Sequence, residues 1–180
     1  MKKITIGILV LIAMCACRKY SADYRGLPPK EFNLAYEETY GRYYDSIPYD
    51  VVALDLYSEG LELDSAHRMR GTGYNLYLSD IFVSATTLEA GTYHSDTSAR
   101  PFTFLPGRDF EGTPYGIYLL YVEEDKLQSI QLIDSGYVEV RDTTNSLTDL
   151  QFTLYYKNSY GSRATYKTHF QGSLIPWAKH

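Results

Sequence analysis

Apolar and polar residues alternate along much of this chain, and that repeat of two predicts β-strands. Leu150, Phe152 and Leu154 alternate with glutamine, threonine and tyrosine. Because successive side chains of a strand point to opposite faces, one face of this run is apolar and the other is more polar. A second alternating run covers 164–170, and residues 158–162 between the two runs are rich in turn formers, so the pair predicts a hairpin.

Runs with the same repeat predict further strands upstream, at 49–57, 74–83, 117–122, 128–133 and 137–141. The apolar phase reverses within the second of these runs, which predicts a β-bulge near Asp80. We also predict a tight turn at 134–136 and a hairpin loop at 123–125. Many short strands separated by turn signals are typical of all-β folds, so we predict an antiparallel β-sandwich, with a closed, calycin-like β-barrel as the alternative.

The apolar faces of the predicted strands define the expected hydrophobic core. We expect burial of Leu54, Leu56, Leu76, Leu78, Leu120, Ile130, Leu132, Val138, Val140, Phe152 and Leu154. A chain of 180 residues is long enough to bury such a core in a single domain, which we place at 36–176.

Two stretches before the first clear strand do not show the repeat. Residues 17–35 are polar and contain Pro28 and Pro29, so we predict a tether there. The tyrosines of 36–44 have the spacing of a helical stripe. Gly41 weakens a helix, however, and tyrosine is equally suited to a strand, so the pattern alone leaves both structures open.

The first seventeen residues have the composition of an export signal. Lys2 and Lys3 precede an apolar run over 4–14, which is shorter than the roughly 20 residues that a membrane span requires. A small residue stands before Cys17, as in the lipobox of bacterial lipoproteins. We therefore predict removal of residues 1–16, acylation of Cys17 (Cys15 is the alternative) and attachment to the cell envelope, at the outer membrane. An ordinary signal peptide without a lipid is the competing interpretation.

The cysteine content and the charge distribution limit which disulfides and which partners the mature domain can have. The chain has no cysteine after Cys17, so the mature domain is predicted to fold without a disulfide. Loss of Lys2 and Lys3 with the leader changes the formal net charge from −5 to −7, and the remaining basic residues are scattered. That distribution argues against a nucleic-acid partner.

Catalytic chemistry has no clear signature in this sequence. His67, His94 and His169 lack the spacing of metal ligands, and no G-x-S-x-G nucleophile motif is present. Acidic residues between 55 and 64 could gather if two strands pair there, but charge on an exposed strand edge is the commoner explanation. We therefore predict a non-enzymatic protein with no catalytic residues, no metal site and no cofactor.

Tyrosine is unusually abundant, with 19 among 180 residues, and suggests where binding could occur. Tyr77, Tyr137 and Tyr155 fall on faces opposite the apolar stripes of their strands, where flat rings can stack on sugars or anchor a protein. The plainer interpretation is that these tyrosines only cover a sandwich. We predict a binding module for polysaccharide or a surface protein, with a structural or assembly component of the cell surface, fimbrial or accessory, as the alternative.

Five short motifs occur in order, at Tyr40–Tyr44, Leu88–Tyr93, Phe104–Gly107, Ser135–Val140 and Phe170–Leu174. Together they resemble a family of uncharacterised lipoprotein β-sandwich domains of Bacteroides-type gut bacteria, over roughly 36 to 175. Phe170 stands where that family usually has tyrosine, and Asp45–Pro48 replaces a usual glycine-rich stretch. The resemblance implies a β-sandwich and a strand over 36–44, and it transfers neither an activity nor a site residue.

Overall fold

The computed structural model describes residues 28–142 and 147–177, and within these ranges the regular structure consists of strands. This confirms the all-β prediction. No helix in the described part is long and apolar enough to cross a membrane. The strands are β1 (Glu31–Phe32), β2 (Leu34–Gly41), β3 (Asp50–Tyr57), β4 (Leu61–Leu63), β5 (Met69–Gly71), β6 (Gly73–Val83), β7 (Gly91–Ser95), β8 (Thr103–Phe104), β9 (Arg108–Phe110), β10 (Thr113–Tyr115), β11 (Ile117–Glu123), β12 (Lys126–Leu132), β13 (Ser135–Asp142), β14 (Thr148–Lys157), β15 (Arg163–Gly172) and β16 (Ile175–Pro176).

One large, curled sheet contains most of these strands, in the order β1-β15-β14-β13-β7-β8-β6-β3-β2-β16. The long strand β6 is a branch point, because its first half pairs with β11 and its second half pairs with β8. Strand β12 extends the sheet beyond β11. The hairpins β4–β5 and β9–β10 form two small separate sheets.

The chain itself links the β15 side of the sheet to the β3 side through its first two strands. Only Asn33 separates β1 from β2, yet β1 pairs with β15 and β2 pairs with β3. The predicted layers are thus parts of one curled sheet, an arrangement consistent with a sandwich or a half-barrel. Pairing is mostly antiparallel, and β1–β15, β7–β8 and β16–β2 are parallel pairs.

A single main apolar cluster fills the inside of the curl, and it contains most of the predicted core. Two predicted core residues, Ile130 and Leu132, are only half-buried, and Gln131 between them is buried instead. The inward position on β12 thus belongs to Gln131, whose side-chain amide donates to the carbonyls of Leu132 and Lys157. The confirmed residues are Leu54, Leu56, Leu76, Leu78, Leu120, Val138, Val140, Phe152 and Leu154.

The bulge predicted near Asp80 is present. Leu54 pairs with Leu78 and Val52 pairs with Ile81, so two residues of β6 lie opposite one residue of β3. The extra residue moves Ile81 onto the same inner side as Leu78, which is why both are buried.

Two of the three predicted turns join paired strands. Residues 158–162 connect β14 to β15, and the two-residue turn between β11 and β12 places Glu124 and Asp125 at positive φ. The tight turn predicted at 134–136 is wrong, because Ser135 and Gly136 already belong to β13. Strand β13 pairs with β14 and β7 and not with β12, so the link from β12 is a crossing rather than a hairpin.

The predicted boundary between tether and domain lies too late in the chain. Phe32 and Ala35 belong to the buried core, and the backbone N–H of His169 donates to the carbonyl of Lys30. The predicted 17–35 tether thus already contains strand structure, because β1 lies within it and pairs with β15. Residues 36–41 of the tyrosine segment lie in strand β2, as the resemblance implied, whereas residues 42–44 lie in the loop after it. Cys15 and Cys17 lie outside the described residues.

Candidate binding site

The outer side of β2, β3, β6 and β11 carries a concentrated group of aromatic and acidic side chains. These positions alternate with the inward-pointing core residues of the same strands, so the alternation that builds the core also places this group outside it. We call it the tyrosine face: Tyr36, Glu38, Tyr40, Ala53, Asp55, Tyr57, Tyr77 and Tyr118 on these strands, together with Trp177, which directly follows β16.

Strand register aligns the centre of the tyrosine face. Tyr36 pairs with Asp55, Asp55 pairs with Tyr77, and Tyr77 pairs with Tyr118. Neighbouring strands are about 4.8 Å apart, so these four side chains form one continuous row across the sheet. The Tyr77 and Tyr118 rings lie 5.3 Å apart between centroids. The row therefore places one carboxylate between aromatic rings on both sides.

A pocket of about 170 Å³ opens at this row. Ala53 leaves space on β3 where a larger side chain would fill it. Trp177 is held at the pocket because its backbone N–H donates to the Glu37 carbonyl at 2.8 Å, and its ring meets the Tyr36 ring edge-on at 5.2 Å. The residues that line the pocket are Tyr36, Glu38, Ala53, Asp55, Tyr77 and Trp177.

Asp55 is the most perturbed acid of the pocket. Burial raises the pKa of Asp55 from 3.8 to about 6, hydrogen bonds from Tyr57 and Asn75 oppose that increase, and the nearby Glu38 carboxylate adds to it. The Tyr57 hydroxyl donates to Oδ2 of Asp55, and the Asn75 amide donates to Oδ1. Asp55 is thus a buried carboxylate that is ionised at neutral pH and titrates just below it.

The tyrosine hydroxyls of this face stay protonated at neutral pH. Tyr40 donates to Oε2 of Glu38 at 2.6 Å and is also in hydrogen-bond contact with Tyr77. Burial is the main cause that raises the pKa of Tyr40, Tyr57 and Tyr77 above the ordinary tyrosine value. The pocket therefore combines neutral rings and hydroxyls with two carboxylates, and no lysine or arginine lines it in the described part of the chain.

A second pocket, of about 230 Å³, is lined by Tyr40, whose hydroxyl donates to Glu38 of the first pocket. Tyr43 packs between Tyr40 and Tyr44, with ring centroids 5.6 Å and 5.0 Å away. The Tyr44 hydroxyl donates to Oδ1 of Asp80 at 2.6 Å, which fixes the loop after β2 against the bulge of β6. Together the two pockets make a track of aromatic rings with carboxylates along it.

The structure does not bring the three predicted binding tyrosines together. Tyr77 lines the pocket, whereas Tyr137 lies on β13 in a separate groove of about 700 Å³. Tyr155 lies beneath the Arg163 guanidinium, which is 4.2 Å from its ring centroid. We call the separate groove the wide groove, and its outward-facing lining is Lys30, Tyr137, Glu139, Gln151, Thr153, Lys167 and His169.

Sequence reasoning missed most of the pocket. Tyr36 and Glu38 were hidden because the helical spacing of 36–44 masked a strand in which both face outwards. Sequence reasoning placed Asp55 in one cluster with the acidic residues that follow it. The structure separates them, because Asp64 forms ion pairs with arginines of the β4–β5 hairpin. Trp177 lies one residue beyond the predicted domain end. Tyr36 and Glu38 could have been found if the 36–44 segment had been treated as a strand, because both then alternate onto its outer face.

Metal-binding side chains do not gather in residues 28–142 and 147–177, where no group of three or more histidine, cysteine, aspartate or glutamate residues comes together. His94 lies near Tyr137, with ring centroids 6.2 Å apart, and His67 packs on the Trp177 ring at 4.9 Å. Both histidines thus contact aromatic rings rather than a cluster of ligands.

Comparison with known proteins does not assign a family. A scan against protein-family models, a search of curated proteins and a search of solved structures each found no match. Function must therefore be argued from the residues of this chain.

Proposed function

We propose that this protein is an exported, lipid-anchored component of the cell envelope that binds a glycan without turning it over. The observation that supports this proposal is the pocket of the tyrosine face, where three aromatic residues and two carboxylates line one small space. Aromatic rings stack on the apolar faces of sugars, and carboxylates accept hydrogen bonds from sugar hydroxyls.

The length of the aromatic track favours a glycan chain over a single small molecule. Tyr40 lines the second pocket and its hydroxyl donates to Glu38, which lines the first, so neighbouring sugar units could occupy both. A concave site with a few polar groups among aromatic side chains is the usual form of a ligand site. Its modest volume also suits a surface that holds part of a polymer.

Binding rather than hydrolysis is proposed because other side chains already hold both carboxylates. Asp55 accepts hydrogen bonds at both oxygens, and Glu38 accepts one from Tyr40. A glycosidase instead presents two carboxyl groups to the bond that it cleaves. Release of reducing ends from any bound polysaccharide would overturn this part of the proposal.

Assembly of the cell surface is the second candidate function, and the edge of the sheet supports it. Within the described residues β12 pairs with β11 alone, so one side of its seven residues lacks a partner strand. A partner chain could add a strand there. The Gln131 side-chain amide donates hydrogen bonds to the carbonyls of Leu132 and Lys157, so it does not cover the free edge of β12.

Paired variants test the glycan proposal. Tyr36→Ala with Trp177→Ala should weaken binding of a glycan hit from an array by about tenfold or more, because two stacking surfaces are lost. The matched control, Tyr137→Ala with Tyr155→Ala, should change affinity less than twofold. Equal loss in both double variants, with both proteins folded by circular dichroism, would contradict the assignment of the site.

Lipid attachment has its own test. Mass spectrometry of the mature N-terminus should find a diacylglycerol-modified Cys17 in the membrane fraction. Cleavage without a lipid adduct would refute the anchor, and an adduct on Cys15 would refute the chosen position.

A further inference from the structure

We propose that the outer face of the β14–β15 hairpin rests on a membrane surface that carries anionic lipid headgroups. This inference rests on the lipid anchor of the proposed function and adds which side of the domain the bilayer meets. It stands on four exposed cations, on an exposed aromatic side chain at the turn of the hairpin, and on the direction from which the chain enters the sheet.

Basic residues that are scattered along the sequence gather on this hairpin. Exposed and buried positions alternate along β15, so Arg163 and Lys167 share its outer side. Lys157 on β14 is the cross-strand partner of Arg163, and Lys30 lines the wide groove together with Lys167. We call these four exposed residues, Lys30, Lys157, Arg163 and Lys167, the basic face.

Little negative charge balances the basic face. The chain contains no aspartate or glutamate after Asp149, although its formal net charge is −5. None of the four cations forms an ion pair with a described residue. Two acids of neighbouring strands lie against other groups, because Glu139 pairs with Arg141 at 2.5 Å and Glu31 lies 3.9 Å from a ring nitrogen of His169. The face is therefore complementary to a negatively charged surface.

The turn of the hairpin presents an aromatic ring to solvent. Tyr160 is 91% exposed and lies between Lys157 and Arg163 along the chain. The Asn158 side-chain oxygen accepts hydrogen bonds from the backbone N–H groups of Tyr160 and Ser162, at 3.0 and 2.9 Å, so the turn is held by its own contacts. Tyrosine favours the interface between water and lipid, where one end of its side chain is apolar and the other is hydrated.

The chain enters the sheet from the same end as this turn. Strand β1 runs parallel to β15, with Glu31 opposite His169, so the residues just before β1 lie towards the start of β15. The Tyr166 hydroxyl accordingly donates to the Pro29 carbonyl at 2.7 Å. Even a fully extended chain from Cys17 to Pro29 spans at most about 40 Å. A lipid on Cys17 would therefore hold the bilayer within reach of the end of the sheet where the β14–β15 turn lies.

Vesicle binding without the lipid tests the inference. We would take the mature chain with Cys17→Ser and measure its sedimentation with vesicles of phosphatidylcholine alone or with about one third phosphatidylglycerol, at pH 7 and 0.1 M salt. The anionic vesicles should bind at least about tenfold more tightly, because each lysine or arginine near an anionic surface adds attraction. Equal binding to the two kinds of vesicle, or no binding to either, would overturn the inference.

Matched charge variants test whether the basic face carries this binding. Arg163→Gln with Lys167→Gln should weaken binding to the anionic vesicles by about fivefold or more. Arg108→Gln with Lys126→Gln removes the same charge from exposed positions on β9 and β12 and should change binding less than about twofold. Equal loss in the two double variants, with both proteins folded by circular dichroism, would show that overall charge explains the binding and would overturn the inference.

A second pair of variants tests the turn. Tyr160→Ala should weaken binding to the anionic vesicles by about threefold, because an interfacial ring is lost. Phe110→Ala removes another exposed ring, 66% exposed on β9 next to Glu111, and should leave binding unchanged. Equal effects of the two variants would contradict contact between the β14–β15 turn and the bilayer.

Three results separate this inference from the proposed anchor and from another partner. If Cys17 carries a lipid but the unlipidated chain does not bind anionic vesicles, the anchor stands and the inference fails. If the unlipidated chain binds through the basic face and mass spectrometry finds no lipid, the membrane contact stands and the anchor fails. If polyglutamate binds this face and vesicles do not, the partner is an acidic polymer and the inference is overturned.

Discussion

The tyrosine face and the wide groove lie on the outer side of the same curled sheet, yet their side chains have different neighbours. In the tyrosine face, the half-buried Asp55 pairs across strands with Tyr36 on one side and Tyr77 on the other. In the wide groove, Tyr137 pairs across strands with His94 and Thr153 and has few aromatic neighbours. An outward position alone therefore does not make a site, since the residues on neighbouring strands decide whether a ring joins a pocket.

Charge separates the two regions as clearly as aromaticity does. The wide groove is lined by Lys30, Lys167 and His169 together with Glu139, so its charges are mixed and open to solvent. The pocket of the tyrosine face is lined by carboxylates and neutral groups. A small volume lined by aromatic rings and carboxylates is the better basis for selective recognition.

The largest effects should come from the hydrophobic core beneath each region, because both regions rest on the same buried cluster. Leu54→Ala, under the tyrosine face, and Phe152→Ala, under the wide groove, should each lower the free energy of unfolding by about 2–5 kcal/mol. Both side chains are almost completely buried in the main cluster. Urea denaturation measures this, and a loss below about 1 kcal/mol at either position would show that one half is loosely packed.

A smaller effect should come from Asp55 through pH. Its folded pKa of about 6 exceeds the ordinary 3.8, so the folded state holds a proton that the unfolded chain has already released. Stability should therefore fall as the pH rises from about 4 to about 6. The groups that face Asp55 are Glu38 on β2, Tyr57 on its own strand, Tyr77 on β6 and Tyr118 on β11.

Asp55→Asn isolates that contribution. The amide carries no charge, and the Tyr57 hydroxyl can rotate to accept a hydrogen bond from it, so stability at pH 7 should rise by about 1–3 kcal/mol. The decrease in folding stability between pH 4 and pH 6 should become smaller in this variant. Glu139→Gln, in the wide groove, should change stability by less than about 0.5 kcal/mol. Thermal unfolding across this pH range checks both variants, and a destabilised Asp55→Asn protein would contradict the cost assigned to this carboxylate.

Much of the fold was accessible to sequence reasoning because it depends on local alternation. The phase reversal in β6 revealed the bulge at Asp80, and turn-forming residues marked the hairpin between β14 and β15. Ile130 and Leu132 were misjudged because Gln131 occupies the inward position and is satisfied by the carbonyl of Lys157, a contact that local pattern does not reveal.

The candidate site was harder to predict because it is assembled from distant segments. Tyr36 reaches Asp55 through strand register, and Trp177 reaches Tyr36 through the parallel pairing of β16 with β2. Alternation says that a residue faces outwards but not which residues lie beside it. Tyr77 was found by that rule, and Tyr137 and Tyr155 satisfied the same rule without joining the pocket.

The central claim is that the pocket of the tyrosine face is the binding site, and NMR titration tests it most directly. When a glycan binds, the backbone amide signals of Tyr36, Ala53 and Tyr77 and the indole N–H signal of Trp177 should shift. The backbone amide signal of Tyr137 should not shift. Shifts that cluster instead around Tyr137 and the rest of the wide groove, with the tyrosine face unchanged, would contradict the account.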